Sequence, residues 1–153
     1  MTPTPLSRRA ALALGLAALA ACGRRAPEAD LPPGASPEML ALVDRYAALH
    51  GLPPSLMHRV VQRESGYNPT ARNGPYMGLM QIHPQTAATM GFRGEPADLL
   101  DPATNLRYAG AYLRGAWIVA DGDEDEAVGW YQRGYYYEAR DRGLLEETGL
   151  RRG

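Results

Sequence analysis

The chain has 153 residues, 45% hydrophobic and 22% charged, which suits one globular domain with a single core. All 16 basic residues are arginine, and against 17 acids they leave a net charge of −1. That excludes the basic surplus of a nucleic-acid partner, and the mildly negative mean hydropathy excludes a multi-span membrane protein.

Residues 1–21 read as a signal peptide. Arg8 and Arg9 form a short basic start, and Ala10 to Ala21 is an apolar run too short to span a bilayer as a mature helix. The run ends in Leu19-Ala20-Ala21-Cys22, which resembles a bacterial lipobox. Such signals are cut before the cysteine, whose thiol is then lipidated. Ser7-Arg8-Arg9-Ala10-Ala11-Leu12 also resembles a twin-arginine signal, so the export route stays open. Cys22 is the only cysteine, so an internal disulfide and a cysteine-based metal site are excluded. Residues 22–35 are rich in Pro, Ala and charge; with little to bury, they read as a flexible tether.

Ser36-Pro37 opens the first helix as N-cap and first helical residue. Met39, Leu40, Val43, Tyr46, Ala47 and Leu49 follow a helical period, and His50-Gly51 stops it. Leu52-Pro53-Pro54 restarts the chain into a second helix. Leu56, Val60 and Glu64 share one face of it, as do Met57, Val61 and Glu64, so Glu64 continues an apolar stripe. The edge of an apolar surface favours the protonated carboxyl that a general acid needs. Gly66 and Asn68-Pro69 end the helix just after it. The residues alone leave open a Glu64 that snorkels to water or pairs with Arg59, Arg63 or Arg72. His50 and His58 have no acidic or second-histidine partner at metal spacing and read as surface or packing residues.

Tyr67 to Met77 carries Asn-Pro, Asn-Gly and Gly-Pro and reads as a loop. The turn Gly78-Leu79-Met80-Gln81-Ile82 follows. Gly78 would let the backbone approach a ligand closely. Gln81 offers a donor and an acceptor, suited to the amide and hydroxyls of an N-acetylated sugar. Pro84 to Met90 reads as a short helix closed by Gly91, and Phe92 to Leu100 as a loop. Asp101-Pro102 caps a long helix with Leu106, Ala109, Gly110, Leu113, Trp117 and Ala120 on its buried side. Asp123 and Glu126 have capping-box spacing in an acidic run that reads as a solvated helix start. The run lacks the alternation of an EF-hand, so no metal is implied.

Glu64-Ser65-Gly66-Tyr67-Asn68-Pro69, then Gly78 to Ile82, then Asn105 with Ala109-Gly110-Ala111-Tyr112-Leu113 together resemble the soluble lytic transglycosylase family. The resemblance covers roughly Ser36 to Gly143. It implies a mostly α, single lysozyme-like helical domain with a substrate cleft, spanning 36–143, and a C-terminal tail from 144 to 153. It implies Glu64 as the catalytic residue, Asn105 as structural, and Ser65, Gln81 and Tyr131 as substrate contacts. Three places depart from the family pattern. Tyr76-Met77 stands where small residues are usual. His83-Pro84 stands for Met-Pro, which puts His83 on the cleft wall as a substrate-binding residue without a catalytic role. Ala127 to Gly134 matches an Ala-Tyr-Asn-Ala-Gly segment with Tyr131 on its Tyr, Gln132 for its Asn and Arg133 for its small residue.

The implied activity is cleavage of the β-1,4 bond between N-acetylmuramic acid and N-acetylglucosamine in peptidoglycan, with 1,6-anhydromuramic acid ends and no cofactor. The implied partners are glycan strands and, through lipid on Cys22, the periplasmic face of an outer membrane; a monomer is expected. The rivals are a hydrolytic muramidase on the same fold and a non-catalytic peptidoglycan-binding lipoprotein. Hydrolytic glycosidases mostly use two carboxylates, whereas this chain offers one well-placed acid. Asp98 and Asp101 lie outside the motifs, and Asp101 is explained as a helix cap.

Overall fold

The computed structural model describes residues 31–151, and it is mostly α. The signal peptide, Cys22 and most of the tether lie outside the described residues. Six helices follow in order: α1 Pro37–His50, α2 Pro54–Ser65, α3 Pro84–Thr89, α4 Pro102–Val119, α5 Glu124–Arg133 and α6 Tyr136–Asp141. The stretch expected as a loop before the turn instead pairs with itself. Strands β1 Arg72–Asn73 and β2 Tyr76–Met77 form an antiparallel hairpin around Gly74-Pro75. The loop before α4 winds into a 3-10 turn at Pro96–Leu100.

Capping follows the sequence closely. Ser36 accepts from the Met39 amide, Asp101 from Thr104 and Asp123 from Glu126. Gly51 and Gly66 close α1 and α2 in the left-handed conformation. Asp98, the other carboxylate near α4, accepts from the Glu95 amide in the box that opens the 3-10 turn.

Helix α4 is the central element, packed against α1, α3, α5 and the 3-10 turn. Leu106, Ala109, Leu113 and Ala116 are fully buried along it, and Gly110 lies under the His50 ring, where a Cβ would collide. Two expectations need correction. Leu49 is 67% exposed, because Val43 and Ala47 already fill the α1 contact. On α4, Ala116 and Val119 take the buried line, while Trp117 is only partly covered. Residues 144–151 do not trail away as a tail. Leu144, Leu145 and Leu150 pack on the core, and Arg114 donates to the Glu147 carbonyl.

Both histidines have definite partners. His50 Nε2 lies 3.1 Å from the Leu106 carbonyl, and burial lowers its pKa below the ordinary imidazole value. His58, read as a surface or packing residue, bridges two elements: Nε2 meets Asp44 at 2.9 Å and Nδ1 meets the Tyr67 hydroxyl at 2.8 Å. Burial, then the Asp44 charge, raises the Tyr67 pKa, so its hydroxyl keeps its proton beside the imidazole. This chain ties α1, α2 and the segment after Glu64 together. The acidic start of α5 is exposed but not idle. Glu124 accepts from Ser55 at 2.6 Å and Asp125 pairs with Arg59 at 2.6 Å, both on α2. Such exposed ties contribute little individually.

Candidate active site

Four side chains, from α2, α4, α5 and the turn itself, lock the Gly78–Ile82 turn in place. The buried Asn105 is the first. Its Oδ1 accepts from the Met80 amide at 2.9 Å, and its Nδ2 donates to the Met77 and Leu99 carbonyls at 2.8 Å each. All its polar capacity facing the turn is therefore used. The Tyr131 hydroxyl on α5 donates to the Met80 carbonyl at 2.8 Å. Burial, with the Glu64 charge second, pushes the Tyr131 pKa well above the ordinary phenol value, so that donor is permanent at neutral pH. Ser65 Oγ donates to the Leu79 carbonyl at 2.7 Å. Finally, Gln81 Nε2 donates to the Ala71 and Gly78 carbonyls at 3.1 and 3.0 Å, while its own backbone sits at a φ of 49°.

Gly78 is required here for an internal reason. Its φ is 77°, and a Cβ would come within 2.2 Å of Asn105 Nδ2 and 2.4 Å of the Leu99 carbonyl oxygen. Gly78→Ala should cost about 3 kcal/mol or more, from overpacking plus left-handed strain. Chemical denaturation measures this; a loss below about 1 kcal/mol would mean the turn yields easily.

The locked turn and α2 present one pocket of about 320 Å³ lined by Glu64, Asn73, Tyr76, Gln81, Tyr131 and Gln132. Glu64 is half-buried on the last turn of α2, beyond the fully buried Leu56, Met57 and Val61. Its Oε1 lies 3.4 Å from Gln132 Nε2. Among the described residues no arginine pairs with it; Arg59 is held by Asp125. Gln81 spends its amide hydrogens on the backbone, which leaves its carbonyl oxygen, an acceptor, for the pocket.

A second pocket adjoins the first and shares Tyr76, Tyr131 and Gln132 with it. His83 lines this one. As N-cap of α3 its Nδ1 accepts from the Gln85 amide at 3.0 Å, so its proton sits on Nε2 as a donor. Tyr76 packs edge-on against the His83 ring at 5.8 Å. Tyr112 also lines the second pocket while stacking on the buried Tyr135. A larger hollow of about 420 Å³, around His50, Arg114 and Glu147, shares no residue with either.

The structure thus brings Glu64, Gln81 and Tyr131 together and sets His83 beside them. Ser65 stands behind the pocket, with its hydroxyl turned to backbone carbonyls. Asn73 was missed as a site residue, and Gln132, whose role the sequence left open, faces Glu64. The hairpin that carries Asn73 in is invisible to apolar periodicity, because both its strands have only two residues.

The profile of the transglycosylase SLT domain matches residues 41–143, more than half of the chain. The chain belongs to this family. Its SLT domain is 31% identical over 93 residues to the endo-type membrane-bound lytic murein transglycosylase A of Klebsiella pneumoniae subsp. pneumoniae, covering 55% of this chain and 45% of that protein. The same-named protein of Salmonella paratyphi B is also 31% identical over 93 residues, covering 56% of this chain and 46% of that one. Membrane-bound lytic murein transglycosylase C of Actinobacillus pleuropneumoniae serotype 5b is 37% identical over 84 residues, covering 50% of this chain and 23% of that protein. The chain spans less than half the length of these curated relatives. No solved structure matches it significantly. Among the described residues of the SLT chain, no helix is long and apolar enough to cross a membrane.

Proposed function

We propose that this SLT-domain protein is a peptidoglycan lytic transglycosylase that cuts the β-1,4 bond between N-acetylmuramic acid and N-acetylglucosamine. One observation carries the reading. Among the described residues Glu64 is the single carboxylate lining the two joined pockets, and Asp98 and Asp101 are committed to capping. Hydrolysis by the usual route needs a second carboxylate about 5–9 Å away to act as nucleophile or to activate water. Intramolecular attack needs none, because the substrate brings its own nucleophile.

The steps follow from that single acid. Protonated Glu64 gives its proton to the glycosidic oxygen, the bond from that oxygen to C1 of muramic acid breaks, and N-acetylglucosamine leaves with a new hydroxyl. The resulting carboxylate then takes the proton of the muramic acid C6 hydroxyl as O6 bonds to C1. A 1,6-anhydro end forms, no water is consumed, and Glu64 is protonated again. The Gln81 carbonyl and Gln132 amide flank the reacting sugar, and Ser65 acts by fixing α2 against the turn. Holding the sugar so that O6 faces C1 turns the second step into a proximity effect.

Digestion of sacculi in heavy-oxygen water tests the chemistry. The expected products are anhydro ends without label; label in reducing muramic acid ends would show a hydrolytic muramidase instead. Binding without any product would show a non-catalytic glycan protein.

The lipobox further supports attachment by lipid on Cys22 to the periplasmic face of an outer membrane. Two or more acyl chains make such anchoring stable. Cys22→Ala should move the protein from the membrane fraction to the soluble one; wild type already in the soluble fraction would refute the lipobox reading.

A further inference from the structure

Tyr76, His83, Gln132 and Arg133 are four of the five residues where the chain leaves the family pattern, Met77 being the fifth, and they come from three separate segments. The fold brings all four to the second pocket, of about 270 Å³. Gln85, Thr86 and Tyr112 add to its polar lining, which among the described residues holds no carboxylate. The wall therefore offers the His83 Nε2 hydrogen, the amides of Gln85 and Gln132 and the hydroxyl-bearing side chains of Tyr76, Thr86 and Tyr112, with Arg133 shared with the next hollow. An array of donors without an acid fits an acceptor-rich, anionic group and not merely a neutral sugar.

Arg133 is held ready for this. Its guanidinium lies 3.8 Å over the Trp130 ring, and Gly129 beneath leaves it room, since a Cβ there would meet Nη1 at 2.5 Å. Its one acidic contact is Glu126 at 3.5 Å, which leaves most of its five donors unspent. Asp141, in the next hollow, is engaged by Arg140 at 2.7 Å, and Glu138 faces that hollow too. A guanidinium stacked on an aromatic ring loses less freedom when it binds an anion.

On a glycan strand the anionic substituent is the stem peptide, carried on the lactyl ether of muramic acid. We propose that the second pocket receives this acidic stem, with Arg133 meeting a carboxylate and His83 and Gln132 its carbonyls. The protein then prefers stem-bearing strands to denuded glycan. This rests on the reading of the Glu64 pocket as the glycan site.

The test uses the protein carrying Glu64→Gln, expected to bind without turnover, and short glycan fragments either bearing stems or stripped of them by an amidase, with the lactyl carboxylate so freed capped as its amide. Calorimetric titration should give about tenfold tighter binding of the stem-bearing fragment. Adding Arg133→Ala should bring that ratio near one, while Arg133→Lys, which keeps the charge, should hold most of it. Equal affinity for both fragments, no binding of either, or a ratio indifferent to Arg133→Ala in a folded protein would overturn the proposal. Preferential stem binding by a wild type that never cleaves sacculi would support the pocket and sink only the lytic reading. Cleavage of both substrates with equal affinity would do the reverse.

Discussion

Glu64→Gln is expected to abolish turnover of peptidoglycan while leaving the fold unchanged. General acid–base groups contribute about 10²–10⁴-fold, and in the proposed mechanism one carboxyl performs both proton transfers. Loss of at least about a thousandfold is therefore expected. The isosteric amide keeps the pocket's shape, and among the described residues the one side-chain hydrogen bond at stake is the long one to Gln132, so the melting temperature should stay within about 2 °C of wild type. Clearing of sacculi and a thermal melt on the same sample measure both quantities. Residual activity above a tenth of wild type would place the acid elsewhere.

The second large effect is on stability and lies away from the chemistry. Asn105→Ala removes three hydrogen bonds from a fully buried site and leaves the Met80 amide and the Met77 and Leu99 carbonyls without partners. An orphaned buried polar group costs about 1–3 kcal/mol. The combined loss should be about 3–5 kcal/mol, a large share of a domain's stability of about 5–15 kcal/mol. A fall in melting temperature of more than about 10 °C is expected. Residual activity at low temperature should fall too, because Gln81 rides on the same turn. A shift below about 3 °C would mean that water replaces the side chain and that the turn is held mainly by Tyr131 and Ser65.

These two residues show how differently a sequence exposes its roles. Glu64 was legible because helical period is a local property: four-residue spacing from Leu56 and Val60 fixes its face whatever packs there. The caps at Ser36, Asp101 and Asp123 were legible for the same reason, since each satisfies amides within three residues of itself. The glycine entering the turn was visible, but its reason was not. The atoms that forbid a side chain at Gly78 belong to Asn105 and Leu99, more than twenty residues away in the chain.

The sequence by itself determined helices α1 to α5, the caps at Ser36, Asp101 and Asp123 and the face on which Glu64 sits, because each depends on spacing over one or two turns, and it carried the family pattern as short motifs; α6 was not read from it. Only the tertiary structure decided which polar atoms remain available. It spent the Gln81 amide and the Ser65 and Tyr131 hydroxyls on backbone carbonyls, and it brought Gln132 to Glu64. It likewise collected Tyr76, His83 and Arg133 in one pocket. Hydrogen bonds are short and directional, so whether a side chain is occupied or free depends on the atoms that close upon it, and these come from distant parts of the chain.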